Sequence, residues 1–133
     1  MKKILLIINL VFLINSPNVI YAQSFSCPSL INCNYEQGTC NSKVSGHYLD
    51  TSAASEPFLG NLQINLSKVI ANKMYGGYQL TCEYRYGKDS FISMIMNRPM
   101  KNLIGPNWTF SGFGRQHAEC LNSYVAEQCL AEE

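Results

Sequence analysis

Few side chains in this sequence could perform chemistry: two histidines, nine acidic residues and six cysteines. His47 lies near Asp50, and His117 lies between Arg115 and Glu119. A nucleophilic site needs a Ser or Cys placed in a strained turn beside such a histidine base. The sequence has no G-x-S-x-G motif, so we interpret both histidines as surface or loop residues. We therefore predict no catalytic residues.

The even number of cysteines indicates disulfide bonds rather than a metal site. Cys33 and Cys40 enclose a short polar loop and are expected to pair with each other. The other four are expected to join the N-terminal segment and the tail to the strand that carries Cys82. A zinc site would need closely spaced CxxC pairs, which are absent, so we predict no metal and no other cofactor. The full predicted disulfide set is Cys27, Cys33, Cys40, Cys82, Cys120 and Cys129.

Residues 1–22 have the pattern of a secretory signal peptide. Two lysines precede an uncharged apolar run over residues 4–14, and Ala22 supplies a small residue at the expected cleavage point. The run is short for a membrane span, although an uncleaved N-terminal anchor is the alternative. We predict export to the periplasm or beyond the cell, with no membrane span once the signal is removed.

Removal of this leader, with its two lysines, leaves residues 23–133 as one expected disulfide-stabilised, β-rich domain. That chain has 111 residues, with 8 basic and 9 acidic side chains and a net charge of −1. A nucleic-acid-binding protein needs a basic stripe to neutralise phosphates, so this balance argues against a nucleic-acid partner. It also provides no reason to expect an anionic membrane surface as the partner.

The segment Tyr78–Tyr86 is the clearest structural element. Its even positions carry Tyr, Leu, Cys, Tyr and Tyr, and its odd positions carry Gln, Thr, Glu and Arg. This period of two predicts a strand with one buried and one solvated face. The Gly-containing residues 87–90 then predict a hairpin to residues 91–96, which are apolar at nearly every position and resemble a central strand.

The remaining segments predict further short strands. Residues 58–66 alternate between apolar and polar side chains, which predicts a strand. Residues 69–71 either form a second short strand after a bend or begin a helical turn. Residues 44–49 and 107–110 are shorter candidate strands. The spacing of Leu121, Tyr124 and Val125 indicates one or two helical turns between Cys120 and Cys129. The predicted fold class is mainly β: a small antiparallel sheet domain with a short C-terminal helical turn, stapled by disulfides.

Aromatic residues are concentrated in one third of the chain, over residues 75–113. They are Tyr75, Tyr78, Tyr84, Tyr86, Trp108, Phe110 and Phe113. Most should be core, but any ring outside the sheet would suit a protein interface, where Tyr and Trp are favoured anchors. Arg85 points to the predicted solvated face. The predicted interface residues are Tyr84, Arg85, Tyr86 and Trp108.

Several short motifs carry a family resemblance. They are Cys27-Pro28-Ser29, Phe58-Leu59-Gly60, Cys82-Glu83-Tyr84, Asn107-Trp108 and Cys120 followed by Ser123 and Cys129. With these motifs the chain resembles a group of small exported gammaproteobacterial proteins of unknown function. It is also similar to the EirA-like proteins associated with the Dot/Icm type IV secretion system. The resemblance implies a non-enzymatic periplasmic protein that supports effector delivery or host-cell entry.

These observations favour a non-catalytic protein-interaction module, periplasmic or secreted, that binds another protein through a sheet face or edge. A small secreted enzyme or an enzyme inhibitor is the alternative. It would be favoured if His47, His117 and an acid lay within hydrogen-bonding distance in a pocket. A third hypothesis is a carrier of a small apolar ligand, which requires a cavity beneath Trp108 and Met94.

Overall fold

The computed structural model describes residues 23–34, 36–37, 39–41, 44, 46–50, 60–120 and 128–133. The described residues are mainly antiparallel β-strands, which confirms the predicted fold class. The strands are β1 (Ser24–Ser26), β2 (Leu30–Asn34), β3 (Thr39–Asn41), β4 (His47–Asp50), β5 (Asn61–Met74), β6 (Gly77–Tyr86), β7 (Ser90–Met96), β8 (Asn102–Ile104), β9 (Trp108–Ser111), β10 (His117–Cys120) and β11 (Leu130–Glu132). A 3-10 turn covers Phe113–Arg115. The predicted signal peptide and the predicted helical turn at residues 121–127 lie outside the described residues.

The strand β5 organises the larger of two sheets. Its 14 residues pair with β6 along one side, and on the other side first with β2 and then with β10. The order of the large sheet is β3-β2-β5-β6-β7-β4, with β10 and β9 added beside the second half of β5. The change of partner coincides with a β-bulge between Leu66 and Lys68, where the Arg85 N–H donates to Ser67 Oγ at 2.9 Å. The predicted bend is therefore a bulge within one strand.

A three-stranded sheet of order β1-β11-β8 forms the second layer. It is tied to the large sheet by the Cys27–Cys82 disulfide and by a hydrogen bond of 3.1 Å from Trp108 Nε1 to the Leu130 carbonyl oxygen. The N–H groups of Tyr78 and Met100 also donate to each other's carbonyl oxygens, at 2.7 and 2.8 Å. We call the side of the large sheet that faces this layer the packed face, and the opposite side the outer face.

The core lies on the packed face. Directly paired residues of neighbouring antiparallel strands project to the same side of a sheet. The register therefore aligns one row of packed side chains across six strands, consisting of Trp108, Cys120, Val69, Cys82, Met94 and Leu49. All of these except the half-buried Leu49 are buried. Burial of each large apolar side chain of this kind contributes about 1.5–3 kcal/mol to stability.

The disulfides agree with the predicted pairing in two of three cases. Cys33 and Cys40 are bonded, and their residues pair directly between β2 and β3. Cys27 is bonded to Cys82 and so joins the N-terminal segment to β6.

The third disulfide corrects the prediction that the tail is joined to the Cys82 strand. Cys120 is bonded instead to Cys129, nine residues further along the chain. Cys120 lies on β10, which is separated from β6 by β5. Two strand spacings amount to about 10 Å, beyond the Cα–Cα distance of about 7 Å that a disulfide can bridge.

Candidate functional site: the outer face of the large sheet

The four predicted interface residues do not form one surface. Tyr84 is fully buried on the packed face, where its hydroxyl donates to the Pro28 carbonyl oxygen at 2.8 Å. Burial raises the pKa of this phenol well above its usual value. Trp108 is also buried on that face. Tyr86 is half-buried and projects from the packed face as well, because it lies two residues after Tyr84 on the same strand. Of the four, only Arg85 projects from the outer face, because adjacent residues of a strand point to opposite sides.

The outer face contains a second cross-strand row that the sequence alone did not indicate. It consists of Tyr48, Ile95, Thr81, Ile70, Glu119 and Thr109, one residue from each of β4, β7, β6, β5, β10 and β9. Tyr48 is 50 % exposed, while Ile95 and Ile70 are half-buried. We call this row the outer row. It places an exposed aromatic ring and two aliphatic side chains on one line across the sheet.

Charged side chains border the outer row at Glu119. Its Oε1 atom lies 2.6 Å from Lys68 Nζ and 3.2 Å from His117 Nε2. The Nδ1 atom of His117 lies 2.7 Å from Asn72 Oδ1. The hydrogen bond from Lys68, followed by that from His117, lowers the pKa of the Glu119 carboxyl group below its usual value. Its two partners therefore favour the ionised form of the Glu119 carboxyl group.

This lowered pKa predicts a pH-dependent contribution to stability. The contribution is present above the ordinary glutamate pKa of 4.5 and is lost as the pH falls through the lower pKa of the folded state. Glu119→Gln is expected to reduce the free energy of unfolding by up to about 1 kcal/mol near neutral pH, since the pair is partly solvated. Urea unfolding at neutral and acidic pH measures the difference, which should disappear in acid. The control Glu36→Gln changes an exposed residue and should show no such loss; equal effects of the two variants would contradict the assignment.

Arg85 has a structural contact as well as an exposed side chain. Its Nε atom lies 2.9 Å from Glu83 Oε1, and Glu83 is only 7 % exposed. The sequence placed Glu83 on a solvated face, and the structure shows that this position is buried although the alternation is correct. A buried carboxylate is costly without a partner, so Arg85 neutralises Glu83 while the rest of its guanidinium remains accessible.

The two histidines lie on opposite sides of the sheet. His117 is on the outer face with Glu119, whereas His47 pairs across the strands with the buried Met96 and therefore projects from the packed face. The Nδ1 atom of His47 is buried and has no hydrogen-bond partner among the described residues. The arrangement that would favour an enzyme, with both histidines and an acid in one pocket, is not assembled. Among the described residues, no cluster of three His, Cys, Asp or Glu side chains could hold a metal ion.

The described part of the fold includes a cleft and a smaller cavity. A cleft of about 340 Å³ lies over β2, β3 and the start of β5. Its lining is dominated by the amide side chains of Asn32, Asn34, Gln37, Asn41, Asn61 and Gln63. A smaller cavity of about 200 Å³ is lined by Gln23, Gly46, Met96, Arg98, Met100 and Glu133. Neither is lined by Trp108 or Met94, where an apolar-ligand carrier would need its cavity.

Comparison with known proteins identifies no relative: no family model, curated protein or solved structure matches the chain. Within the described ranges, no helix has the length and apolar character needed to cross a membrane. The three disulfides indicate an oxidising, extracytoplasmic environment.

Proposed function

We propose that this protein is an exported, non-catalytic protein-interaction module that binds its partner through the outer face of the large sheet. The observation that carries the proposal is the outer row, in which the half-exposed Tyr48 and two aliphatic side chains cross the sheet. Tyr is among the residues that contribute most binding energy in protein interfaces. The proposed biological role, support of type IV secretion or host-cell entry, follows from the family resemblance and is part of the same proposal.

The charges around the outer row suit recognition of a specific partner. Glu119 belongs to the row, Lys68 pairs with it at 2.6 Å, and Arg85 projects from the same face further along β6; charged residues around an interface mainly set association rate and partner choice. A surface on a sheet that disulfides constrain also loses little conformational entropy on binding. These features support binding through complementary shape and charge. The predicted signal peptide and export are also part of the proposal.

Site-specific crosslinking in the native cell tests this function. A photo-reactive residue at position 48 is expected to capture a specific partner that mass spectrometry then identifies. The same residue at position 88 is the control, because Lys88 is exposed in the turn between β6 and β7, away from the outer row. Equal capture from both positions, or from neither, would contradict the proposal. An exported enzyme as the partner would identify this module as an enzyme inhibitor.

Binding measurements with the identified partner provide the quantitative test. If Tyr48 is a central anchor of the interface, Tyr48→Ser should weaken the affinity at least about tenfold, because truncation of such hot-spot residues costs about 2 kcal/mol or more. Lys88→Gln should leave the affinity unchanged. Unchanged binding by the Tyr48 variant would remove the outer row from the interface.

A further inference from the structure

Two aromatic side chains stand fully exposed at one end of the large sheet. Tyr75, in the turn between β5 and β6, is 103 % exposed, and Phe113, in the turn between β9 and β10, is 95 % exposed. The two turns are neighbours because β10 pairs with β5, and the Lys73 N–H donates to the Gln116 carbonyl oxygen at 2.7 Å. Met74, 45 % exposed, adds apolar surface beside Tyr75. We call residues 73–77 and 111–116 the aromatic end.

Residues near Phe113 in the chain make contacts with one another, whereas the Phe113 ring itself is exposed to solvent. The Arg115 guanidinium carbon lies 3.7 Å from the centre of the Phe110 ring, which packs edge-on against Tyr78 at 6.4 Å. Arg115 also adopts a φ of 56°, an unusual backbone conformation for a residue other than glycine. Such conformations persist where the surroundings impose them, and they concentrate at functional sites. The fold therefore presents Phe113 outward from an anchored base.

Four cations lie at or beside the aromatic end. Together with the adjoining residues 97–101 it contains Lys73, Arg98, Lys101 and Arg115, half of the 8 basic residues of the chain after residue 22. The two segments are adjacent, since a Cβ atom on Gly76 would lie 3.6 Å from Pro99. Residues 72–77, 97–101 and 111–117 contain no acidic side chain, and the neighbouring Glu133 lines the smaller cavity together with Arg98. Lys101 Nζ donates to the main-chain oxygen of Glu133, but the other three cations pair with no carboxylate in the described part of the chain.

We propose that the aromatic end docks on an anionic phospholipid bilayer, with Tyr75 and Phe113 entering the boundary between the headgroups and the acyl chains. Tyr is favoured at the membrane–water boundary, and apolar rings flanked by cations are typical of peripheral membrane-binding surfaces. Lys73, Arg98 and Arg115 would lie at the level of the lipid phosphates. The two rings stand on separate convex turns, so a protein partner would have to supply a matching pocket for each, whereas a headgroup layer deforms around both. This contact is separate from the outer face and does not depend on the proposed function.

Vesicle sedimentation of the disulfide-bonded protein tests the proposal. The protein is expected to bind vesicles that contain phosphatidylglycerol, and to bind pure phosphatidylcholine vesicles much more weakly. Higher salt should reduce the binding, since screening weakens attraction between the cations and the lipid surface. Tyr75→Ser combined with Phe113→Ser is expected to reduce the partition coefficient at least about tenfold, and Lys73→Gln about fivefold. Because both rings are fully exposed, these variants should fold normally.

Matched substitutions elsewhere control for loss of aromatic area and of charge. Tyr48→Ser removes an exposed ring from the outer face, and Lys88→Gln removes a cation from the turn at the other end of β6. Neither should alter vesicle binding. If either control reduced binding as much as the changes at the aromatic end, the assignment of the surface would be overturned.

Direct insertion can be measured with Phe113→Trp. The tryptophan at position 113 should be quenched by lipids brominated on their acyl chains, whereas the native Trp108 is buried and should not respond. Absence of quenching, or failure of the native protein to bind phosphatidylglycerol vesicles, would overturn the proposal. If crosslinking from position 48 captured no partner, the binding of the aromatic end to vesicles would be unaffected. The two proposals can therefore fail independently.

Discussion

Replacement of both Cys27 and Cys82 by alanine is expected to lower the free energy of unfolding by about 4 kcal/mol. The bond connects residues 55 positions apart, so it restricts a large part of the unfolded chain. It also joins the N-terminal segment to β6, and both sulfur-bearing residues are buried. A loss of this size is comparable to much of the total stability of a small domain. Chemical denaturation of the oxidised variant and the native protein measures it.

Cys33→Ala with Cys40→Ala is the matched control. Its bond closes a loop with a sequence separation of only 7, so its removal should cost about 2–3 kcal/mol. The long-range pair should therefore be the more destabilising replacement. Equal losses, or a larger loss from the Cys33–Cys40 pair, would show that the long-range bond is not the main constraint on the unfolded state.

Gly77→Ala is expected to destabilise the fold by about 3 kcal/mol or more. A Cβ atom at this position would lie 2.1 Å from the Met100 carbonyl oxygen and 2.8 Å from its carbon. The Met100 main chain cannot move away freely, because it exchanges two hydrogen bonds with Tyr78. Relief of the clash would therefore disturb the connection between β6 and the segment that leads to β8. Thermal and denaturant unfolding provide the measurement.

Gly105→Ala separates this steric effect from backbone preference. Gly105 also has a positive φ, +95°, but a Cβ atom at this position would meet no heavy atom within 4 Å. Its replacement should cost only about 1–2 kcal/mol, the usual penalty for a side chain in that conformation. Losses of the same size at both glycines would contradict the role assigned to the Met100 contact.

Predictions from the sequence succeeded where the information is local. The strand at residues 78–86 was predicted because a period of two is a property of neighbouring residues alone. The Cys33–Cys40 bond was predicted because both residues flank one short loop. The mainly β fold class follows from the same alternation repeated along the chain. Prediction was poorer for Glu83, since alternation assigns a side of the sheet but does not show how much neighbouring strands cover it.

Residue order alone specifies a mainly β chain with an even set of cysteines and little net charge. Which side chains share a surface depends on how the strands pair in three dimensions. The outer row takes one residue from each of six strands, and its members are brought together by strand register, which depends on contacts between distant segments. The formal net charge of +1 for the full sequence likewise conceals three cations at or beside the aromatic end that have no carboxylate partner among the described residues, because a total charge contains no information about position. Local patterns specify strands, whereas long-range pairing specifies the surfaces with which this protein can bind.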